Sequence, residues 1–486
     1  MSSLKKVFQN SFLYSFSNVL LRATSIIFFP IFSSYLNKSD YGVLSVSQTI
    51  IVFTSIFAGL ELTKSVTRFI YKKNEVKLSA DTLISNTLFA TLVSNTIILV
   101  PMILFGAQLL RPMLSDIQFY PAIFWSLISV PFKSLIDVYR IYLKANHEGK
   151  KAFLLDMGFF GCNIALNLLF VIEFNLNAFG IILSTFVSSL IFIVILWVVF
   201  YRKITYSINK EALKIMLEYA VPLIPFAVLN SLLDSTDKMF LNSKYGSADS
   251  GLYYISITFA GIFSVTKESI SSALTPWIFD ALNTKPVKQI RDVIIAVFLG
   301  TGFLAIGTSW FSREVLMILS SNASFIEAYK YIPMLVSGLY VIFLGQLFNI
   351  KTFYYGTYSR YLFLSTFVGI VVSFVSCYVF IENYKMGVKG AAIARFFAYI
   401  SLVIAAAYLS RLEKEKNEIF DLKILIGICV TISTLIFLPV VLNVGFIVAL
   451  VVKIVLAILI GAVMFLYLNR KFKIAKLILD KLNIGR

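Results

Sequence analysis

Residues 11–36 read SFLYSFSNVLLRATSIIFFPIFSSYL, an apolar segment long enough to cross the hydrocarbon core of a bilayer, which takes roughly 20 residues. Arg22 lies near its middle, where a charge costs about 2.5–3.5 kcal/mol on insertion scales. Polar side chains recur here at steps of four and three residues, the spacing of one helix face; they are Ser11, Ser15, Asn18, Arg22 and Ser25. Such a stripe needs water or an anion against it. The sequence therefore predicts that this helix lines a polar cavity.

Apolar segments of similar length follow along the whole chain. Hydrophobic residues make up 59% of the sequence and charged residues 14%, against roughly 45–50% and 25% in soluble domains. The pattern predicts an all-α, multi-pass membrane protein with 14 transmembrane helices. The predicted spans are approximately 11–36, 41–63, 83–106, 119–142, 153–173, 179–201, 218–242, 251–275, 291–311, 331–354, 361–381, 389–410, 424–442 and 446–468.

The net charge of +18 follows from membrane topology. With the N-terminus in the cytoplasm, the cytoplasmic segments hold 28 Lys and Arg, counting Arg291 at the start of the ninth span, and the external loops hold 6. An excess of Lys and Arg marks cytoplasmic loops. We therefore expect both termini in the cytoplasm and no nucleic-acid partner.

Few side chains suit catalysis. The three cysteines lie far apart inside apolar segments, and the single histidine, His147, lies in a polar loop. No metal-ligand spacing and no phosphate-binding loop is present in the sequence. We expect no enzyme activity, no cofactor and no metal site.

Weak internal similarity recurs at one offset. Asp40-Tyr41-Gly42 matches Asp249-Ser250-Gly251 at an offset of 209, and Gly180 matches Gly390 at 210. This register predicts two six-helix lobes, residues 1–203 and 204–412, related by a pseudo-two-fold axis along the membrane normal. Residues 413–486 then hold two extra helices and a basic cytoplasmic tail.

Three motifs carry a family resemblance. They are Tyr35-Leu36-Asn37-Lys38-Ser39-Asp40-Tyr41-Gly42, Asp237-Lys238 followed by Gly251-Leu252-Tyr253, and Gly387-Val388-Lys389-Gly390-Ala391-Ala392-Ile393-Ala394. With the predicted span count, they resemble the Wzx-like oligosaccharide flippases of the multidrug/oligosaccharidyl-lipid/polysaccharide (MOP, MATE-like) superfamily. The resemblance implies a transporter of the bacterial cytoplasmic membrane that alternates between cytoplasm-open and outward-open states. Its substrate would be an undecaprenyl-pyrophosphate-linked oligosaccharide for O-antigen or capsule-type polysaccharide.

Three cations inside the spans are candidate substrate-binding residues: Arg22, Lys267 and Arg395. A guanidinium or an ammonium group suits a pyrophosphate or an acidic sugar. Each has an alternative role. Arg22 would bond backbone carbonyls, Lys267 would be neutralised by Glu268, and Arg395 would snorkel to the interface.

A second set of charges lies at helical spacing and is assigned to coupling or gating. Lys133, Asp137 and Arg140 share one face of span four, and Asp234 and Lys238 are four residues apart in span seven. A structural ion-pair network is the favoured interpretation of the first group, and a gate or lobe-packing salt bridge is that of the second. Because no nucleotide site is visible, we expect coupling to an H⁺ or Na⁺ gradient, with Glu268 and Asp137 as candidate acids. Lys453 is expected to snorkel.

Other functions stay open at this point. A MATE-type cation-coupled drug antiporter would need buried acids free of basic partners, and a lipid II-type flippase is a close alternative. A membrane glycosyltransferase or polymerase would show longer external loops with acids or histidines. The expected partners are the lipid-linked oligosaccharide, membrane lipids, and a polysaccharide polymerase with glycosyltransferases.

Overall fold

The computed structural model describes residues 17, 20, 24–71, 79–201, 208–413, 420–438 and 446–472. Regular structure in these ranges is entirely helical. Within them, 11 helices are long and apolar enough to cross a membrane. The chain is an all-helical, multi-pass membrane protein, as the apolar spans predict.

The helices have the following bounds in chain order: α1 Phe29–Tyr35, α2 Lys38–Gly59, α3 Leu62–Tyr71, α4 Ala80–Leu109, α5 Arg111–Leu114, α6 Phe124–Ala145, α7 Gly149–Leu168, α8 Asn177–Phe200, α9 Lys210–Ala220, α10 Ile224–Thr284, α11 Val287–Trp310, α12 Ser312–Leu319, α13 Ala323–Ile326, α14 Ile332–Tyr355, α15 Leu362–Cys377, α16 Gly387–Leu412, α17 Leu422–Phe437 and α18 Phe446–Phe472. Short π-helical turns occupy Phe119–Ile123, Leu169–Glu173 and Tyr378–Asn383.

A capping box starts α2. The backbone N–H of Asp40 donates to Asn37 Oδ1 at 3.0 Å, and the N–H of Asn37 donates to Asp40 Oδ2 at 2.9 Å. Both donors would otherwise be unpaired at the helix N-terminus. Part of the quoted family motif therefore serves to begin a helix.

Predicted spans seven and eight belong to one helical run, Lys210–Thr284, of 75 residues. A straight helix of that length would measure about 110 Å, far more than the roughly 30 Å of a bilayer core. Within α10 the break lies at Gly246 (φ 79, ψ −174), a conformation that glycine adopts at little cost. The next residue, Ser247, donates from its N–H and its Oγ to Asp116, at 2.9 and 2.6 Å. Asp116 thus caps the second half of α10.

Two glycines make a reciprocal contact between α2 and α10. A Cβ added to Gly42 would collide with the backbone carbonyl of Ser247, and one added to Gly251 would collide with that of Lys38. At the offset of 209, Gly42 corresponds to Gly251 and Lys38 corresponds to Ser247. The same pair of positions therefore meets twice with roles exchanged, as in an interface with two-fold symmetry. The repeat itself stays a prediction.

The chain divides into two compact units, residues 1–255 with 373–391 and residues 256–372 with 392–486. In the first unit, α6 lies at the centre and packs against α2, α3, α4, α7 and α8. In the second unit, α11, α14 and α17 pack against one another, and α18 packs on α11. The count of 14 helices, the lobe boundaries and the symmetry axis stay predictions, since much of the first part of span one and the end of span thirteen lie outside the described residues.

Candidate functional site

A row of charged side chains follows one face of α6. Lys133, Asp137, Arg140 and Lys144 are spaced by four, three and four residues, so they share one side of the helix. Lys144 is in the last turn, and Lys133 lies about 16 Å further along the axis at roughly 1.5 Å per residue. We call these four residues the α6 ladder.

A buried carboxylate on α7 joins this ladder. Arg140 Nε donates to Asp156 Oδ1 at 2.6 Å, and the Asp156 side chain is 2% exposed. Arg140 Nη1 also donates to Asp137, whose side chain is 42% exposed. One guanidinium thus connects an inaccessible carboxylate to an accessible one. Asp156 needs this partner, because an unpaired buried charge costs several kcal/mol.

Neighbouring helices hold the ladder in place. Tyr142 OH donates to Asp81 Oδ1 on α4 at 2.8 Å. The rings of Tyr139 and Tyr142 both pack on Phe200 of α8, with centroids 5.0 and 5.9 Å away. The apolar face of α6 is therefore fixed in the core of the first unit, and its charged face is set by that packing.

The predicted group on span four is only part of this cluster. The structure pairs Asp137 with Arg140 and places Lys133 within electrostatic reach of both. The sequence analysis missed Asp156, although an acid inside an apolar span was a visible signal. Spacing along one helix cannot identify a partner on the next helix. The functional roles of Lys133, Asp137 and Arg140 stay predictions.

The candidate cations of the second unit are buried. Lys267 on α10 is 4% exposed and Arg395 on α16 is 8% exposed. Snorkelling requires the charged end to reach the protein surface, so this burial argues against that role for Arg395. Glu268, the candidate coupling acid next to Lys267, is partly exposed.

The acids of the first half of α10 differ in burial. Asp234 is exposed and Lys238 is partly buried. Asp237 is 1% exposed, and it accepts hydrogen bonds from Tyr253 OH and from the Lys238 backbone N–H. Asp237 thus stabilises the packing of this segment through buried hydrogen bonds. The predicted gating role of Asp234 and Lys238 stays a prediction.

Arg22, the main candidate from the sequence, lies outside the described residues. Its role therefore also stays a prediction.

The prediction for Lys453 is wrong. Its side chain does not snorkel but is 7% exposed, and Nζ donates to both carboxylate oxygens of Glu314, at 2.7 and 3.0 Å. Glu314 is in the short helix α12, and Lys453 is in α18. This buried ion pair attaches the last apolar helix to the second unit, which an apolar sequence pattern alone does not reveal.

Buried carboxylates in the described ranges all have hydrogen-bond donors. Asp156, Asp237 and Glu314 have the partners given above, and Glu413 accepts from the Tyr358 backbone N–H at 2.9 Å. Among the same residues, His, Cys, Asp and Glu form no group of three or more that could hold a metal ion. These carboxylates are therefore acceptors in ion pairs and hydrogen bonds.

Two apolar cavities flank α17 in the second unit. One, of about 460 Å³, lies against α11 and α18 and is lined by residues such as Leu299, Ile428 and Leu459. The other, of about 560 Å³, lies against α14 and α16 and includes Val341 and Phe396. Their apolar walls suit hydrocarbon chains rather than sugars or phosphates.

Solved structures with the same fold are membrane transporters. The chain superposes on the lipid II flippase MurJ in an inward closed conformation with a TM-score of 0.71 and 13% identity, covering 95% of this chain and 99% of that one. An inward-facing multidrug resistance MATE family transporter of the MOP superfamily superposes with a TM-score of 0.64 and 14% identity, covering 80% of this chain and 94% of that one. A MOP superfamily transporter from Pyrococcus furiosus superposes with a TM-score of 0.56 and 16% identity, covering 82% of this chain and 94% of that one. The chain has the MOP transporter fold.

The chain also matches a sequence relative and a family model. Protein 1 of the Lsg locus of Haemophilus influenzae is 25% identical over 369 residues, covering 72% of this chain and 86% of that protein. The model of a polysaccharide biosynthesis protein family matches residues 31–308, more than half of the chain. This protein belongs to that polysaccharide biosynthesis family.

Proposed function

We propose that this protein is a flippase that moves an undecaprenyl-pyrophosphate-linked oligosaccharide from the cytoplasmic to the external leaflet of a bacterial cytoplasmic membrane. Membership of the polysaccharide biosynthesis family carries the proposal, because the fold of that family member is a MOP transporter fold. A transporter in such a pathway has a lipid-linked sugar as its natural cargo. The product would serve O-antigen or capsule-type polysaccharide assembly.

Charge inside the spans supports an anionic cargo. Arg140, Lys267 and Arg395 are cations within apolar helices, and Arg22 is a fourth in the sequence. Cations inside a membrane are costly, and anion binding offsets that cost. We propose Arg22, Lys267 and Arg395 as substrate-binding residues, with the prenyl chain remaining in lipid.

A drug antiporter is the less favoured transporter. It would need buried acids free of basic partners, whereas Asp156 is paired with Arg140 and Glu314 with Lys453. Lipid II flipping is the second candidate function, and the TM-score of 0.71 to MurJ favours it. The two differ in the head group, so a competition between the two lipid-linked substrates separates them.

An enzyme is less favoured than a transporter. The predicted external segment 312–330, the longest one, is occupied by α12 and α13 rather than by a separate domain. We therefore propose no bond-forming step and no cofactor. Transport would draw on an H⁺ or Na⁺ gradient, with Glu268 and Asp137 as candidate coupling acids and a polysaccharide polymerase and glycosyltransferases as functional partners.

The main test is a substitution series at Arg22 in a flippase-null strain, scored by surface polysaccharide. Arg22→Lys keeps the charge without the bidentate geometry and should reduce transport partly. Arg22→Ala should abolish it, and Arg22→Glu should be at least as severe, since it repels a pyrophosphate. Membrane levels of each variant are measured by blotting.

The control is Lys330→Gln, which removes the partner of Glu327 in an exposed external pair and should leave transport unchanged. Full transport by Arg22→Ala at normal abundance would leave Arg22 a structural residue. A wild-type chain that does not restore polysaccharide in any such strain would refute the proposed cargo.

Topology has its own test. We propose that both termini are cytoplasmic, because of the excess of Lys and Arg on that side. A C-terminal alkaline phosphatase fusion should be inactive and a C-terminal green fluorescent protein fusion should fluoresce. The opposite result would give an odd number of spans and would exclude the parallel repeat.

A further inference from the structure

We propose that Arg140 is a second anion-binding group on the substrate path, oriented by Asp156 and occupied by Asp137 until a phosphate displaces that carboxylate. The inference rests on the proposed function in that the phosphate belongs to a prenyl pyrophosphate. It adds a binding residue on α6, and it assigns the two carboxylates different roles.

The hydrogen bonds of Arg140 leave several of its donors available. A guanidinium has five N–H donors, of which Nε–H bonds Asp156 and one N–H of Nη1 bonds Asp137. No further bond from Arg140 is found among the described residues, and its side chain is 22% exposed. The three remaining donors suit phosphate oxygens in the planar geometry that arginine favours.

The two carboxylates bonded to Arg140 differ in burial. The Asp156 side chain is 2% exposed, so releasing its arginine would leave a desolvated charge without a partner. The Asp137 side chain is 42% exposed, so water replaces its contacts when it leaves. An incoming anion therefore displaces Asp137 and leaves Asp156 bound. Asp156 is a positioning residue, and Asp137 occupies the place of the anion.

The charges around this place also favour an anion. Lys133 and Lys144 lie on either side of Asp137 and Arg140 along the same helix face and interact electrostatically with both. With Asp156 and Asp137, the cluster holds three cations and two carboxylates. When Asp137 turns away, the vacated position faces Arg140 and both lysines.

A purely structural network is the alternative, and the predicted repeat argues against it. At the offset of 210, α6 ends at Ala145 where α14 ends at Tyr355. Asp137, Arg140 and Asp156 then correspond to Leu347, Ile350 and Thr366. The second copy forms the same helices with uncharged side chains at these positions. Charges that the fold does not require are available for binding.

The test measures binding of farnesyl pyrophosphate and of farnesol to the purified full-length protein in detergent. The wild type should bind the pyrophosphate more tightly than the alcohol. Asp137→Asn should raise pyrophosphate affinity by roughly three- to tenfold, because a neutral amide is displaced more easily than a carboxylate. Arg140→Gln should lower it by about tenfold or more, and Arg140→Lys should lower it less.

The positioning role of Asp156 is tested by substituting it with and without Arg140 present. Asp156→Asn should weaken pyrophosphate binding several-fold in the wild-type background and have no effect in the Arg140→Gln background, since a positioning residue acts only through its partner. The matched control is Glu314→Gln, which also replaces a buried, lysine-paired carboxylate by an amide but lies outside the ladder. It should leave pyrophosphate affinity unchanged even where it lowers thermal stability.

The sign of the Asp137→Asn effect decides the outcome. Unchanged or weaker pyrophosphate binding by a folded Asp137→Asn protein overturns the inference, because a structural ion pair predicts no gain. Equal binding of farnesol and farnesyl pyrophosphate by the wild type overturns it as well. If the predicted signs appear but the wild type never restores polysaccharide, the anion site stands and the proposed cargo falls.

Discussion

The two π-helical hairpins, α7–α8 and α15–α16, have the same turn and different interiors. Leu176 N–H donates to Phe170 O at 3.0 Å in the first, and Met386 N–H donates to Phe380 O at 3.0 Å in the second. Positive φ angles also recur, at Asn175 and Asn177 and again at Lys385 and Gly387. The backbone of the turn is therefore the same to the level of single hydrogen bonds.

The interiors of the hairpins diverge. In the first, Asn167 donates to Asn163 at 3.0 Å and accepts from Ser184, and Asn163 donates to Ser188 at 3.4 Å. The corresponding positions in the second hairpin are buried and hold small, less polar side chains, namely Ser373, Cys377, Ala394 and Ala398. The two hairpins thus share their turn geometry and differ in their side-chain chemistry. Function should therefore be sought at positions where the copies differ.

Deleting a charge should have the largest effect on the unfolding free energy, and that effect should differ between α6 and α14. Arg140→Ala leaves Asp156 buried without its partner and should cost about 3–5 kcal/mol of unfolding free energy. Lys351→Ala in α14 removes a hydrogen bond to Ser410 O and should cost about 0.5–1.5 kcal/mol. Unfolding in mixed micelles of dodecyl maltoside and SDS measures both.

A double substitution is the control for that pair. Arg140→Ala with Asp156→Ala should recover much of the loss, because both charges leave together. Equal losses for Arg140→Ala and Lys351→Ala would contradict the asymmetry.

The shared turn can be tested at its glycines. A Cβ at Gly390 would lie 2.8 Å from Phe380 O, and one at Gly180 would lie 3.1 Å from the Phe170 backbone. Gly390→Ala should therefore cost about 2 kcal/mol and Gly180→Ala about 1 kcal/mol, since backbone must shift in the first and less so in the second. Thermal unfolding of the two proteins should rank them in this order, and the reverse rank would contradict the closer backbone approach at Gly390.

The polar interior of the first hairpin should give a smaller difference. Asn167→Val leaves Ser184 and Asn163 without this partner and should cost about 1 kcal/mol, the scale of polar contacts between membrane helices. Cys377→Val, at the corresponding position of the second hairpin, lies outside that network and serves as the matched substitution. Equal stability of Asn167→Val and wild type would mean that the network is not stabilising.

Exchanging turn residues should have the smallest effect. Asn177→Gly and Gly387→Asn place in each turn the residue that the other carries at a φ near +50°. Glycine and asparagine both tolerate this region, so each exchange should cost less than about 0.5 kcal/mol. A loss above 1 kcal/mol, measured by the same unfolding assay, would indicate different constraints on the two turns.

The sequence predicted the helices well because apolar length and helix termini are local properties. The predicted span 119–142 and the helical segment that starts at Phe119 and includes α6 agree closely, as do 331–354 and α14. Partners were less predictable, because they depend on which helix faces pack together. Asp156 and Glu314 were overlooked for this reason, and Lys453 was misassigned.

The contact between Gly42 and Gly251 has a consequence for motion. Each glycine meets the backbone of the opposite helix, so neither of the two places a side chain between the helices. Such a contact is suited to a pivot, because neither glycine has a side chain that must change rotamer when the helices rotate. A rotation of roughly 10° about Gly42 displaces the far end of α2, about 26 Å away at 1.5 Å per residue, by about 4.5 Å. A small rotation at one end of the helix thus moves the other end by several ångströms.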